Sequence, residues 1–264
     1  MSPDGFLLGV TGWPLARTLS PAVHLAMLRS AGLSGSFHIL PVRPGLLGGS
    51  LSELFLAGFD GISVTVPHKT TVPPFCRHIS PEASAAGAVN TLVRTPDGWT
   101  GHNTDPGGFL AAVDSIGAEP PFAIIGCGGA AAAVALALSS RGLEHLAFCR
   151  DPSRCRLAQA APLESACEWI AGSSCSTIVN ATPLGWEDGD GFPVREEALA
   201  GRLFLDLNYN PGWRWRNALA GLPCRVVTGE RMLVEQAALA FSLWTGLRPD
   251  TSAAFRAIER SRGR

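Results

Sequence analysis

The chain has 264 residues, 46% of them hydrophobic and 16% charged, with a formal net charge of -1. That balance is too apolar for a disordered chain, and it carries no electrostatic footprint for nucleic acid or an anionic membrane. The length suits one large or two small domains with a sizeable core. No apolar run approaches the roughly 18 residues that span a bilayer. The start, Met1-Ser2-Pro3-Asp4-Gly5, lacks the basic region of a signal peptide. The 7 cysteines are scattered without a C-x-x-C pair, which indicates neither zinc nor thioredoxin-type chemistry. They read as reduced thiols of a cytoplasmic protein, and no metal is expected.

Phe6–Val10 reads as a first strand, and Ser20-Pro21 as an N-cap with proline at the first helical position, opening a helix that runs to Gly32. Phe37–Leu40 is a second strand, and Leu46–Phe55 a helix ending near Gly58. Gly61-Ile62-Ser63-Val64-Thr65-Val66 alternates like a strand until Pro67 stops it. Asn90–Val93 and Trp99–His102 flank Thr95-Pro96-Asp97-Gly98, a hairpin signature. The first hundred residues thus form an α/β unit with mixed strands. From Phe109 the pattern becomes a regular β-α alternation. Its short apolar strands lie at 121–125, 146–148, 177–179, 203–205 and 225–227. Continuously apolar strands separated by helices imply a parallel sheet covered on both faces. Two helices, Met232–Trp244 and Ser252–Arg260, close the chain.

Gly126-Cys127-Gly128-Gly129-Ala130-Ala131 fits G-x-G-x-x-G/A between a buried strand and a helix. Gly126 would allow the tight turn, Gly128 the approach of a pyrophosphate, and Ala131 close packing of helix on sheet. The first N–H groups of the helix, with those of Gly129 and Ala130, would face the phosphates. Cys127 inside the loop reads as a small apolar filler. After the second strand of this unit, Arg150 and Arg154 could clamp the 2′-phosphate of NADP. Asp151 between them could instead pair with an arginine or face a ribose, so NAD stays open beside NADP.

Lys69 stands just past the third strand, where α/β proteins tend to build their sites. Asp105 follows the hairpin. An amine, a carboxylate and a nucleotide loop together suggest carbonyl chemistry with a nicotinamide. Thr18, Ser20, Ser63, Thr65, Asn90 and Asn103 add donors and acceptors suited to a polyol.

These residues fall in ordered motifs that resemble the shikimate dehydrogenases, with their quinate/shikimate relatives, over nearly the whole chain. Gly12–His24 is similar to G-N-P-I/L-x-x-S-x-S-P-x-x-H, and Ser63–Lys69 to N-V-T-x-P-x-K. Gly87–Thr91 matches G-A-V-N-T and Gly101–Asp105 matches G-x-N-T-D. Asn180–Gly185, then Asp206 with Tyr209 and Pro211, and Met232–Ala237 resemble three further motifs. The resemblance implies two α/β domains: a substrate domain with a mixed sheet, 1–105 plus 236–264, and a Rossmann-like NADP-binding domain, 106–235. It implies reversible reduction of 3-dehydroshikimate to shikimate, with Lys69 and Asp105 catalytic. It places Thr18, Ser20, Ser63, Thr65, Asn90, Tyr209 and Gln236 on the substrate, and Thr182, Leu207 and Gly229 on the cofactor. The family holds both monomers and dimers.

Several positions depart from the family pattern. Thr18, Ser63 and Cys149 stand where Ser, Asn and Asn are usual, and Trp186, Arg214 and Glu235 also differ. The Ser63 and Thr18 changes leave quinate or an amino analogue of shikimate open as the ring substrate. A dinucleotide-binding sensor that kept the fold and lost catalysis is the competing class.

Overall fold

The computed structural model describes residues 5–15, 18–155, 157–185, 190–191, 194–209, 219 and 221–262, apart from the side chains of Arg154 and Arg262. The positions of Trp186, Pro211, Arg214 and the Arg154 guanidinium therefore lie outside the description. The chain divides into two compact units, Met1–Gly108 with Val234–Arg264, and Phe109–Leu233.

The first unit is built on a mixed six-stranded sheet. Its strands are β1 (Phe6–Gly12), β2 (Gly35–Pro41), β3 (Gly61–Val64), β4 (His78–Ile79), β5 (Thr91–Thr95) and β6 (Gly98–His102), in the order β2-β1-β3-β5-β6-β4. β1 is parallel to β2 and β3, whereas β5 runs antiparallel to both β3 and β6. The predicted hairpin is present, with Thr95 paired to Gly98 and a left-handed φ of 137° at Gly98. Helices α1 (Ser20–Ser30), α2 (Leu47–Leu56) and α3 (Pro81–Ala86) belong to this unit. One apolar cluster joins Leu47 and Leu51 to Ile62, Val64, Val89, Leu92 and Trp99.

α1 starts one residue earlier than the Ser20 cap expected from sequence. Leu19 is the N-cap residue, and Ser20 is the first helical residue. The physical reason is Thr18, whose hydroxyl oxygen accepts the Ser20 N–H at 3.2 Å and so satisfies a donor at the helix start.

The second unit carries a six-stranded sheet with every pairing parallel. Its strands are β7 (Phe122–Ile125), β8 (His145–Cys149), β9 (Ala160–Pro162), β10 (Thr177–Asn180), β11 (Leu203–Asp206) and β12 (Arg225–Thr228), in the order β12-β11-β10-β7-β8-β9. β7, β10 and β11 are buried along their whole length, as the apolar runs within them predict; Thr177, Asn180 and Asp206 are the buried polar residues among them. Helices α5 (Gly129–Ser140) and α6 (Ala166–Gly172) lie between strands of this sheet. Val134, Ala137 and Leu138 of α5 pack on Phe122, Ile124 and Leu205. The dividing line between the units falls inside α4 (Asp105–Ile116) and α7 (Glu230–Thr245), and α8 (Thr251–Arg262) ends the first unit.

Candidate active site

In the first unit, strand direction gathers the polar residues at one edge of the mixed sheet. The C-terminal ends of β1, β3 and β6 and the start of β5 all lie there, because Thr11 pairs with Val64, Ser63 with Thr91, and Thr91 with His102. Thr18 and Ser20 follow β1, Thr65 and Lys69 follow β3, Asn90 precedes β5, and Asn103 and Asp105 follow β6.

Lys69 sits in a 3-10 turn, His68–Thr70. Two contacts hold that turn. The buried His68 ring donates from Nε2 to the Val42 carbonyl at 2.7 Å, and the Val89 N–H donates to the Lys69 carbonyl at 2.8 Å. Lys69 is thereby tied to the residue before Asn90. Its Nζ lies 2.7 Å from Asp105 Oδ2, with the lysine side chain 24% exposed and the aspartate 8%. The ammonium thus has a buried partner on one side and access to solvent on the other.

Asp105 is held on every side. Its N–H donates to Asn103 Oδ1 at 3.0 Å, and Asn103 in turn donates to the Ala88 carbonyl. Asn90 Nδ2 donates to Asp105 Oδ1 at 2.8 Å and to Thr104 Oγ1 at 3.0 Å. Asn90 Oδ1 accepts the Thr104 N–H at 2.8 Å and the Thr91 hydroxyl at 2.9 Å. Each carboxylate oxygen thus has a distinct donor, Lys69 on one and Asn90 on the other. A hydrogen-bonded buried network of this kind fixes geometry, and breaking one member costs more than the single bond. Gln236, on α7, reaches the same network, with Oε1 3.3 Å from Thr104 Oγ1 and 3.5 Å from Asn90 Nδ2. Two glycines allow this approach. A Cβ on Gly108 would lie 2.5 Å from the Gln236 Cβ, and one on Gly107 2.8 Å from Leu239.

Thr18 and Ser20 share a hydroxyl–hydroxyl contact of 3.2 Å. Ser63 is half-buried on β3, and Thr65 follows it, its N–H donating to the Thr11 carbonyl. His102, beside Asn103, has its pKa lowered by burial, with Glu82 acting against that shift, so it is neutral at pH 7. Two positioning residues escape a reading by residue type: His68, whose ring is buried under the lysine turn, and Thr104, which bridges Asn90 and Gln236. Thr104 lies inside the G-H-N-T-D run, which was the available signal.

In the second unit the strand order reverses between β7 and β10, the switch point where open α/β sheets bind ligands. The glycine loop leaves β7 there. Gly126 has a left-handed φ of 119°, and a Cβ on it would lie 3.0 Å from the Ala181 carbonyl and 3.1 Å from Thr182 Cγ2. Thr182 therefore borders the loop. Gly128 is the N-cap of α5, both Gly128 and Gly129 are exposed, and among the described residues nothing beyond their chain neighbours and the backbone of α5 lies within 4 Å of where their Cβ atoms would be. That open cradle at a helix start fits a pyrophosphate. Ala131 is fully buried, as close helix–sheet packing requires. Leu207 and Gly229 meet back to back, with no room for a side chain on Gly229. Tyr209 follows β11 and is half-buried.

Arg150 is exposed at the end of β8. Asp151 is engaged locally, since its Oδ1 accepts the N–H (3.1 Å) and hydroxyl (2.5 Å) of Ser153 and caps a 3-10 turn at Pro152–Arg154. That local use occupies one carboxylate oxygen of Asp151.

A parallel sheet with a glycine turn at its switch point, joined in one chain to a lysine–carboxylate pair on a mixed sheet, defines a dinucleotide-dependent α/β oxidoreductase. Residues 10–92 match the model of the shikimate dehydrogenase substrate-binding domain, and residues 229–258 that of the shikimate 5′-dehydrogenase C-terminal domain. A shikimate dehydrogenase (NADP(+)) of Thermus thermophilus is 39% identical over 96% of this chain and 98% of its own. The crystal structure of a Thermus thermophilus shikimate 5-dehydrogenase in complex with NADP(H) and shikimate superposes with a TM-score of 0.87 at 38% identity, covering 97% of this chain and 99% of that one. A quinate dehydrogenase from Corynebacterium glutamicum in complex with NAD reaches a TM-score of 0.86 at 28% identity, covering 97% and 99%. The chain belongs to the shikimate dehydrogenase family.

Proposed function

We propose that this chain interconverts shikimate and 3-dehydroshikimate with NADP. The observation that carries the reading is the Lys69–Asp105 pair at 2.7 Å, braced by Asn90 on the second carboxylate oxygen.

The glycine loop, Gly126 to Ala130 with Cys127 inside it, would hold the pyrophosphate at the start of α5, with Arg150 and Arg154 on the 2′-phosphate. Thr182, Leu207 and Gly229 would border the nicotinamide. When bound, the cofactor supplies or accepts the hydride. Reduction of the ketone leaves negative charge on its oxygen. Lys69 Nζ, partly exposed beside its buried partner, donates a proton to that oxygen. In the reverse direction the neutral amine takes the proton from the substrate hydroxyl. Asp105 keeps the Lys69 Nζ in place and accepts from a neighbouring ring hydroxyl. Asn90 and Thr104 prevent the carboxylate from rotating away. Thr18 and Ser20, at the start of α1, would bind the substrate carboxylate near the positive end of the helix dipole. Ser63, Thr65, Tyr209 and Gln236 complete the contacts to the ring hydroxyls.

Steady-state turnover of shikimate and of quinate, each with NADP⁺ and with NAD⁺, tests the reading. The expected result is the highest kcat/KM for shikimate with NADP⁺. Cofactor binding without turnover of either acid would favour a sensor. Higher kcat/KM for quinate would make Ser63 a determinant of a different ring specificity.

A further inference from the structure

Three of the six cysteines of the second unit, scattered in sequence, converge. Cys127 lies in the glycine loop, Cys149 ends β8, and Cys155 follows the 3-10 turn after Arg150. Their Sγ atoms all lie within 4.8 Å of one another. All three are free thiols. Cys149 is buried, and Cys127 and Cys155 are half-buried. No C-x-x-C spacing announces the cluster: Cys127 lies just past β7, and Cys149 and Cys155 lie at and beyond the end of the neighbouring strand β8.

We infer that Cys127, Cys149 and Cys155 form a three-thiolate site for a thiophilic d10 cation such as zinc or cadmium, whose occupation opposes dinucleotide binding at the same loop. The opposition rests on the dinucleotide reading of that loop; the site itself does not.

The donor set suits the ion. With metal–sulfur bonds of about 2.3 Å, three thiolates around one ion stand about 4 Å apart, so closure from the present spacing requires about an ångström or less. Three sulfurs leave a fourth position open to water, on the partly exposed side of Cys127 and Cys155. Binding replaces three S–H bonds with three metal–sulfur bonds, three protons leave to solvent, and no electron moves.

The same ion would disturb the nucleotide site in two ways. A divalent cation with three thiolates carries one net negative charge, placed beside the loop that would receive phosphates. Coordination also pulls Cys127, and with it the backbone between Gly126 and Gly128, toward β8. Both effects act against an anionic ligand, so each ligand weakens the other reciprocally.

The test uses the whole reduced protein and cadmium as the probe. The ultraviolet thiolate-to-cadmium charge-transfer band should saturate at one ion per chain. Cys127→Ser and Cys155→Ser should each weaken that binding by about tenfold or more. Cys224→Ser, outside the cluster, should leave it unchanged. NADPH fluorescence titrations should show about tenfold weaker binding in saturating cadmium, an effect that Cys127→Ser removes. A band that keeps its affinity in both cluster variants overturns the site. Saturating cadmium that leaves NADPH affinity unchanged overturns the antagonism. A metal-free protein that fails to bind NADPH overturns the cofactor reading and the antagonism with it, while the cadmium band still decides the site.

Discussion

Acid should destabilise this protein through one histidine. His24, on α1, is buried between Phe37, stacked at 4.7 Å with an interplanar angle of 6°, and Trp244, at 5.0 Å. Its Nδ1 has no hydrogen-bond partner among the described residues. Burial lowers its pKa from 6.5 to about 3. Between those values the unfolded chain holds a proton on His24 and the folded chain does not. Stability therefore falls as pH falls through this window, by about 1.4 kcal/mol per pH unit. From pH 6.5 to pH 5 the loss from this group is about 2 kcal/mol. The assay is urea unfolding, followed by circular dichroism at pH 7 and pH 5, of the natural chain and His24→Leu. Absolute stability cancels in the comparison, because every other titrating group is common to both chains. The natural chain should lose about 2 kcal/mol more than the variant over that interval. Equal losses would refute the claim that a buried neutral histidine governs acid sensitivity.

Gly61→Ala drives a Cβ into the indole of Trp244, whose Nε1 donates to the Leu92 carbonyl at 2.9 Å, so thermal unfolding should show a loss of about 1–3 kcal/mol. Gly126→Ala meets the Ala181 carbonyl and a left-handed φ of 119°, and should weaken NADPH binding in a fluorescence titration while shikimate binding by calorimetry stays near normal. Asn90→Ala frees one oxygen of Asp105 and orphans the Thr104 N–H; kcat/KM for shikimate should fall at least tenfold, and a value near that of the natural chain would deny the brace a role.

Much of this molecule could be read from its residues, and the failures have physical causes. The apolar runs at 121–125, 177–179 and 203–205 announce buried parallel strands because both faces are covered. The hairpin around Gly98 declares itself by turn chemistry. β4 and β9 did not, since two or three residues, His78–Ile79 and Ala160–Pro162, carry no period; their pairing to β6 and β8 makes them strands. α4 was not among the expected helices; Asn103 supplies the Asp105 amide at its start with an acceptor, and Gly107 and Gly108 make room for α7. Lys69 and Asp105 could be picked out as a pair of types at strand ends. That Asn90 locks the second carboxylate oxygen, and that His68 fixes the turn beneath the lysine, are tertiary facts that no spacing encodes.

The measurement that bears most directly on the proposed mechanism is kcat for shikimate oxidation by NADP⁺ in the Lys69→Ala variant. The account predicts a fall of about 10²–10⁴-fold with KM little changed, because the ammonium acts on the oxygen where charge develops. A kcat near that of the natural chain would show that the proton comes from elsewhere, and would contradict the role given to the 2.7 Å pair.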